Sequence, residues 1–258
     1  MNKKYNIYIP SGNPTALVIG IENNIDTRRY INDEIIYKYN GFVEQVGFVN
    51  ENKNEPVLLM AGGEFCGNAT RSAIYYYLDG KPGIININVL GVDLELTGGI
   101  DKENNVWVNM PIMKSNFIRR NNDNSIIVKI PGITHLVIEY SNVPKEYKNN
   151  LEEYSKIMLK KYNLTKEVAA GVMYIKREKE SIYLFPYVYV KSVNTWFFET
   201  ACGSGTTAVG IYESYITKNS INKDIIQPSK EIISVKVENI NNKIVSATIS
   251  GKVKKYPI

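Results

Sequence analysis

The chain has 258 residues, of which 44% are hydrophobic and 22% charged, a balance typical of a soluble globular protein. Its length is enough for one large domain or two ordinary ones with full cores. The formal net charge of +5 comes from basic residues scattered among acidic ones, which predicts a solvated surface and excludes a basic stripe for nucleic acid.

Membrane association and secretion are not predicted either. No apolar run approaches the roughly 20 residues that span a bilayer. The lysines near the N-terminus, Lys3 and Lys4, are not followed by the apolar segment of a secretory signal. We therefore expect a cytoplasmic protein whose partners include neither membrane nor nucleic acid.

Hydrophobic periodicity and turn residues predict a chain that mixes helices and strands. In chain order the predicted elements are a helix over 27–39, a strand over 57–60, a helix over 69–78, strands within 84–96 and over 106–110, a helix over 145–162, two strands within 182–198, a helix over 208–216 and a hairpin of strands 231–238 and 243–253. Asp79-Gly80 ends the second helix, and Asn241-Asn242 supply the hairpin turn.

The two cysteines lie in similar local sequences. Cys66 begins the run Cys-Gly-Asn-Ala-Thr, and Cys202 begins Cys-Gly-Ser-Gly-Thr, each between a predicted strand and a predicted helix. The offset, 202 − 66 = 136 residues, is just over half the chain, which indicates an internal repeat. We expect an N-terminal domain, residues 1–118, that carries Cys66 and a C-terminal domain, residues 119–258, that carries Cys202. The polar segment 119–125 is the expected boundary, and the last strand is allowed to cross to the first domain.

Cysteines at helix N-termini indicate acid–base chemistry. Unpaired N–H groups and the helix dipole stabilise a thiolate and bring a thiol pKa from about 8.5 toward neutral. The same N–H groups bind carboxylates, and Gly67, Gly203 and Gly205 allow a ligand to approach closely. One ionised and one protonated thiol on opposite faces of an α-carbon would supply the base and the acid of a racemase. Zinc is not predicted, because CxxC spacing is absent.

Both cysteine motifs resemble the active-site motifs of the diaminopimelate epimerase family. Ser11-Gly12-Asn13 resembles that family's substrate loop, Glu44-Gln45 its Asp-Gln segment, and the segment around His135 its Asn-Pro-His segment. The resemblance runs over nearly the whole chain. It implies an α/β (α+β) fold of two pseudo-symmetric domains, each mostly antiparallel strands around a central helix. It also implies an isomerase that needs no pyridoxal phosphate or other cofactor and no metal.

The sequence departs from that family where the far end of the substrate would bind. The family has a Glu-Arg pair before its second cysteine, whereas this chain has Val193-Asn194-Thr195-Trp196 and no arginine after Arg177. A site without that cation is not expected to select a substrate with a second carboxylate. Four segments instead resemble the histidine racemases of staphylopine-type metallophore biosynthesis: residues 8–13, 44–48, 64–70 and 202–206.

These resemblances imply a set of site residues. Cys66 and Cys202 are the expected catalytic residues, and the expected substrate-binding residues are Asn13, Glu44, Gly67, Asn68, Glu199, Gly203 and Ser204. Glu44 and Glu199 are expected to accept hydrogen bonds from an imidazole, and the alternative for each is an exposed or strand-end glutamate. His135, the single histidine, is expected to be structural or supporting. Arg71 is expected to be a surface residue, and the alternative is that it biases the local potential toward an anionic substrate.

The sequence leaves several functions open. The preferred hypothesis is interconversion of L- and D-histidine. A diaminopimelate epimerase or a racemase of another amino acid is the alternative within the same chemistry. A non-catalytic carboxylate-binding protein of the same fold and a thiol redox protein are alternatives from other classes. The expected partner is a small-molecule amino acid, and a homodimer is compatible with the sequence.

Overall fold

The computed structural model describes residues 3–113, 115 and 117–257 of the chain. The chain divides into two compact units. The first unit comprises Met1–Asn109 and Ser250–Ile258, and the second comprises Met110–Ile249. Within the described ranges, no helix has the length and apolar character required to cross a membrane.

Helices and strands alternate along the chain, as the periodicity predicts. The first half contains β1 (Tyr5–Pro10), β2 (Thr15–Ile19), α1 (Ile25–Lys38), β3 (Gln45–Val49), β4 (Val57–Met60), α2 (Gly67–Tyr77), β5 (Gly83–Leu90), β6 (Leu94–Ile100) and β7 (Val106–Met110). The second half contains β8 (Ile118–Arg120), β9 (Ile126–Ile130), β10 (Ile133–Glu139), α3 (Leu151–Lys161), β11 (Ala169–Glu178), β12 (Ser181–Val190), β13 (Thr195–Phe198), α4 (Gly203–Thr217), β14 (Ile221–Ile226), β15 (Ile232–Ile240), β16 (Lys243–Gly251) and β17 (Val253–Tyr256).

The first unit is a mixed sheet with a buried helix against it. Its strands pair in the order β17-β1-β2-β3-β4-β5-β6-β7, and the β2–β3 and β4–β5 pairs are parallel while the others are antiparallel. Helix α2 is buried from Gly67 to Ile74 without a solvent-facing side and packs against β1 to β6. A helix buried on all sides lies in a core rather than on a surface.

The second unit repeats this topology. The β10–β11 and β12–β14 pairs are parallel, and the β9–β10, β11–β12 and β14–β15 pairs are antiparallel. Strands β9, β10, β11, β12, β14 and β15 thus follow the same sequence of pairings as β1 to β6. Helix α4, buried from Gly203 to Ser214, takes the place of α2. The predicted mixed α/β fold with a central helix in each half is confirmed.

Helices α1 and α3 have equivalent places in the chain order, because α1 follows β2 and precedes β3, and α3 follows β10 and precedes β11, which are the first parallel pairs of the two units. Helix α3 begins at Leu151 rather than at residue 145, so the predicted start is wrong. The reason is local: Lys145–Tyr147 form a separate 3₁₀ turn, and Asn150 caps α3 by accepting a hydrogen bond from the Glu153 N–H at 3.2 Å.

The polar segment 119–125 is a hairpin turn rather than a linker. Strands β8 and β9 pair antiparallel on either side of it, and the Asn121 N–H donates to the Ser125 carbonyl at 2.9 Å. The break between the units therefore precedes Met110, whereas the expected boundary followed residue 118. Residues from Ser250 onward cluster with the first unit, where β17 pairs with β1.

Candidate active site

Cys66 is the N-cap of α2. Its backbone is extended, with φ −133° and ψ 113°, and its sulfur accepts a hydrogen bond from the Ala69 N–H at 3.4 Å. The Thr70 hydroxyl donates to the Cys66 carbonyl at 2.8 Å and locks the first turn. The thiol therefore occupies a position usually taken by a serine or aspartate oxygen, at the positive end of the helix dipole.

Cys202 has the same position in α4. Its φ is −130° and its ψ 107°, and its sulfur accepts a hydrogen bond from the Gly205 N–H at 3.2 Å. The Thr206 hydroxyl donates to the Cys202 carbonyl at 2.7 Å, as Thr70 does in the first unit. The prediction that both cysteines lie at helix N-termini is confirmed, down to the threonine four residues on.

At Gly205 two sulfurs leave no room for a side chain. A Cβ at Gly205 would lie 2.9 Å from Cys202 Sγ and would overlap the Met173 sulfur. The equivalent residue in the first unit is Ala69, which is also fully buried, and Cys66 is partly exposed whereas Cys202 is buried.

The Cys66 thiol contacts an amide side chain from β3. Its Sγ lies 2.6 Å from Gln45 Oε1, which accepts the S–H. A glutamine amide presents an oxygen to a thiol or, after rotation, an NH₂ group to a thiolate, so Gln45 suits both protonation states. Gln45 is absent from the expected site residues although its neighbour Glu44 is present. Its position next to Glu44, in a segment that resembles a family motif, could have identified Gln45 as a site residue.

Asn13 and Glu44, both expected site residues, lie together. Asn13 is fully buried, and its Nδ2 donates to Glu44 Oε2 at 2.6 Å. The loop that carries Asn13 turns through Ser11 and Gly12, both with positive φ (50° and 88°). The non-glycine Ser11 in this region indicates a loop held by its surroundings, since the conformation is unfavourable for a residue with a side chain.

Arg71 is fully buried, so the expectation of a surface residue is wrong. Its Nη2 donates to Asn68 Oδ1 at 2.8 Å, and its Nη1 donates to Ser11 Oγ at 3.3 Å. Burial lowers the pKa of Arg71 to about 10, which leaves the guanidinium protonated at neutral pH. Arg71 thus holds Asn68 and Ser11 in place from within α2.

The Cys202 thiol has an anionic neighbour. Glu199, which is buried, accepts a hydrogen bond from the thiol, and Ser204 Oγ lies 3.6 Å from Cys202 Sγ. The backbone N–H of Cys202 donates to Gln227 Oε1 at 3.0 Å. The expected residues Glu199 and Ser204 therefore lie beside this sulfur, and the expected residue Gly203 follows the cysteine in the chain. Gln227 is a further partner that no local sequence pattern indicates.

Burial, followed by the charge of Glu199, raises the pKa of Cys202 well above its ordinary value. The hydrogen bonds from Gly205 and Ser204 act in the opposite direction and are outweighed. The expectation that the helix N-terminus lowers the pKa of both thiols toward neutral is therefore wrong for Cys202. Desolvation of a fully buried sulfur is larger than the effect of a helix dipole.

His135 supports this part of the site. It is fully buried, its Nε2 lies 2.9 Å from Ser204 Oγ, and burial lowers its pKa to about 3. The imidazole is neutral at pH 7 and contacts a neighbour of Cys202. Among the residues with described placements, no three His, Cys, Asp or Glu side chains are grouped to hold a metal ion.

Comparisons with known proteins find histidine racemases among the similar sequences. A family model described as the histidine racemase CntK N-terminal domain matches residues 4–256. A histidine racemase of Fusobacterium nucleatum subsp. nucleatum is 31% identical over 234 residues, covering 85% of this chain and 84% of that protein. A histidine racemase of Staphylococcus aureus is 26% identical over 246 residues, covering 89% and 87%. A Bacillus anthracis phenazine biosynthesis protein of the PhzF family has a similar fold, with a TM-score of 0.65 at 10% identity over 98% of both chains.

Proposed function

The chain belongs to the histidine racemase family and is an amino-acid racemase, and on that premise we propose that it interconverts L- and D-histidine by proton transfer between Cys66 and Cys202. The observation that carries the two-cysteine part is the equivalent position of both thiols, each the N-cap of the central helix of its unit. The choice of histidine is supported by the family and by the absence of an arginine after Arg177.

The proposed reaction transfers one proton on each face of the substrate. A thiolate removes the α-proton and becomes a thiol, and the electron pair of the broken C–H bond remains on the α-carbon. The other thiol then donates its proton to the opposite face of that carbon and becomes a thiolate. The charges balance over the step, and exchange of protons with solvent resets the pair. The two sulfurs exchange roles for the reverse direction.

Stabilisation of the carbanion is assigned to the helix starts. The substrate carboxylate takes up part of the negative charge, and N–H groups at a helix N-terminus bind such a group. We assign this binding to the turns that begin with Gly67 and Asn68 in α2 and with Gly203 and Ser204 in α4. All four residues are buried, so their dipoles act with little screening by water.

The two glutamates receive different roles. Glu199 contacts the Cys202 thiol, and we assign it to the proton balance of that sulfur. Glu44 is oriented by Asn13, and we assign it as the acceptor for an N–H of the substrate imidazole. An oriented carboxylate recognises a ring N–H through a charge-assisted hydrogen bond, which is stronger than a neutral one.

Incubation of the purified protein with separate L-amino acids tests the proposal. The panel contains histidine, several neutral amino acids and diaminopimelate, and chiral chromatography measures the D- or epimeric product. We expect D-histidine as the main product. Epimerisation of diaminopimelate without D-histidine would contradict the substrate assignment, and binding of histidine without inversion would indicate a non-catalytic protein. The double variant Cys66→Ser, Cys202→Ser is the matched control.

A further inference from the structure

Arg71 is a buried cation without a counter-ion. It is among the largest fully buried side chains of the protein. Its two described partners, Asn68 and Ser11, are neutral, and its Nε has no hydrogen-bond partner. Among the described residues, no carboxylate forms an ion pair with it. A charge removed from water in this way is strongly unfavourable unless another charge compensates it.

Titratable residues on the strands around α2 do not supply that compensation. Tyr8 on β1 is buried, and burial raises its pKa further above the ordinary value, so it is neutral. Glu95 on β6 is exposed, as are Lys254 and Lys255 on β17. Burial raises the pKa of Glu64, in the loop before α2, which favours its neutral form. Neither Glu64 nor Glu44, in the loop before β3, is among the groups whose charge shifts the pKa of Arg71, whereas a sulfur on the same helix is.

Cys66, when ionised, is the group whose charge acts on Arg71. A thiolate at Cys66 raises the pKa of Arg71, against the larger lowering by burial. An interaction between two charges is mutual, so a cation that is stabilised by the thiolate stabilises the thiolate in turn. Gln45, whose amide contacts Cys66 Sγ, is neutral and does not compete for this charge.

The second unit lacks this cation. Arg71 is five residues after Cys66, and the residue five after Cys202 is Thr207. Thr207 is also fully buried, but its hydroxyl donates to the Gly203 carbonyl at 3.0 Å and carries no charge. Cys202 instead has the Glu199 carboxylate as its charged neighbour. The two sulfurs therefore have charged neighbours of opposite sign.

We infer that Arg71 is a positioning residue whose buried positive charge keeps the Cys66 sulfur ionised, so that Cys66 is the base and Cys202 the acid of the resting enzyme. The assignment of base and acid rests on the proposed function. The effect of Arg71 on the Cys66 thiol does not, because it concerns the free protein.

The pH dependence of thiol alkylation tests this inference without any substrate. In a Cys202→Ser background, iodoacetamide modification of Cys66 is followed by mass spectrometry across a pH series. We expect a midpoint below the ordinary thiol value of about 8.5. Arg71→Met should raise that midpoint by about one pH unit or more, since an adjacent opposite charge shifts a pKa by about 1–3 units. Arg71→Lys should restore most of the lowering.

Arg29→Met is the control for net charge. Arg29 is a partly exposed arginine of α1 that pairs with Asp26, and its loss should leave the Cys66 midpoint unchanged. An unchanged midpoint in a folded Arg71→Met protein would overturn the inference. Should that variant fail to fold, Arg71→Gln, which keeps hydrogen-bond donors but removes the charge, is measured in its place and should raise the midpoint similarly. A midpoint at or above about 8.5 in the Arg71-containing protein would also overturn the inference. A protein that does not racemise histidine but shows these shifts would contradict the proposed function alone.

Discussion

Cys66 and Cys202 cap helices of the same topology, but the side chains around the two sulfurs differ. In the first unit the thiol contacts the neutral Gln45, and the buried Arg71 lies one turn further along the helix. In the second unit the thiol contacts the Glu199 carboxylate, and Thr207 takes the place of the arginine. The two units therefore share the N-cap position of the thiol but differ in the sign of the charged side chain near it. This difference suits the proposed two-base reaction, in which one thiol is ionised while the other is protonated.

The largest expected effect comes from removal of either thiol. Cys66→Ser or Cys202→Ser should each lower the racemisation rate by about 10²–10⁴-fold, since a serine hydroxyl is too weak an acid and base for this proton transfer. Serine is a good N-cap, so α2 and α4 should stay folded, which circular dichroism can verify. A single variant that keeps most of the racemisation rate would show that one thiol is dispensable.

Gly205→Ala, beside Cys202, should lower kcat more than a substitution at the equivalent Ala69, beside Cys66. The new Cβ would press on Cys202 Sγ and on the Met173 sulfur. We expect roughly a 10²-fold loss in kcat, the scale of a displacement of about 1 Å at a reacting group. Ala69→Gly, which removes the methyl group at the equivalent place, is the matched control and should keep kcat within several-fold. Equal losses in both variants would argue against the different packing of the two thiols.

Glu199→Gln should lower the pKa of Cys202 and so reduce the difference between the surroundings of the two thiols. The change removes the negative charge and leaves the burial, so the pKa of Cys202 should fall but remain above the ordinary thiol value. Alkylation of Cys202 against pH, in a Cys66→Ser background, measures this shift. The racemisation rate of the protein with both cysteines should decrease about 10-fold, because the proton balance between the thiols is disturbed. A Cys202 midpoint that does not move would remove Glu199 from this role.

The smallest expected effect is on the unfolding free energy and comes from His135, the buried imidazole near Cys202. Burial lowers the pKa of His135 from 6.5 to about 3, so the unfolded chain binds a proton between these values that the folded chain does not. The stabilisation is fully present above pH 6.5 and is lost as the pH falls toward 3. Between pH 7 and pH 5 this should cost about 2 kcal/mol of unfolding free energy. Urea unfolding at both pH values, compared between the protein and His135→Gln, measures it. Identical pH dependence in both proteins would contradict the buried neutral imidazole.

The local backbone of the site was predictable from the sequence, whereas its electrostatics were not. The run from Cys66 to Thr70 and its counterpart from Cys202 to Thr206 predict helix starts from local turn chemistry alone. The hairpin turn at Asn241-Asn242 is likewise local, and both residues adopt the positive φ that such a turn needs. These features depend on neighbours in sequence, which a motif contains.

Burial of the charged groups depends on tertiary packing and therefore could not be predicted from local sequence patterns. An arginine one turn into a helix is ordinarily exposed, and Arg71 is buried because strands β1 to β6 pack around α2. The raised pKa of Cys202 has the same kind of cause, since it requires both the depth of α4 in its core and the position of Glu199 after β13. Gln227, at the end of β14, contacts Cys202 through chain topology that no local pattern contains.

Deuterium incorporation at the first turnovers tests the central claim most directly. L-Histidine is incubated with the protein in D₂O, and mass spectrometry after chiral separation measures deuterium at the α-carbon of both enantiomers. Two cysteines acting on opposite faces predict that the first D-histidine formed is deuterated while the remaining L-histidine keeps its proton. D-Histidine that retains the original proton, or early deuterium in L-histidine at the same rate as in D-histidine, would contradict the account.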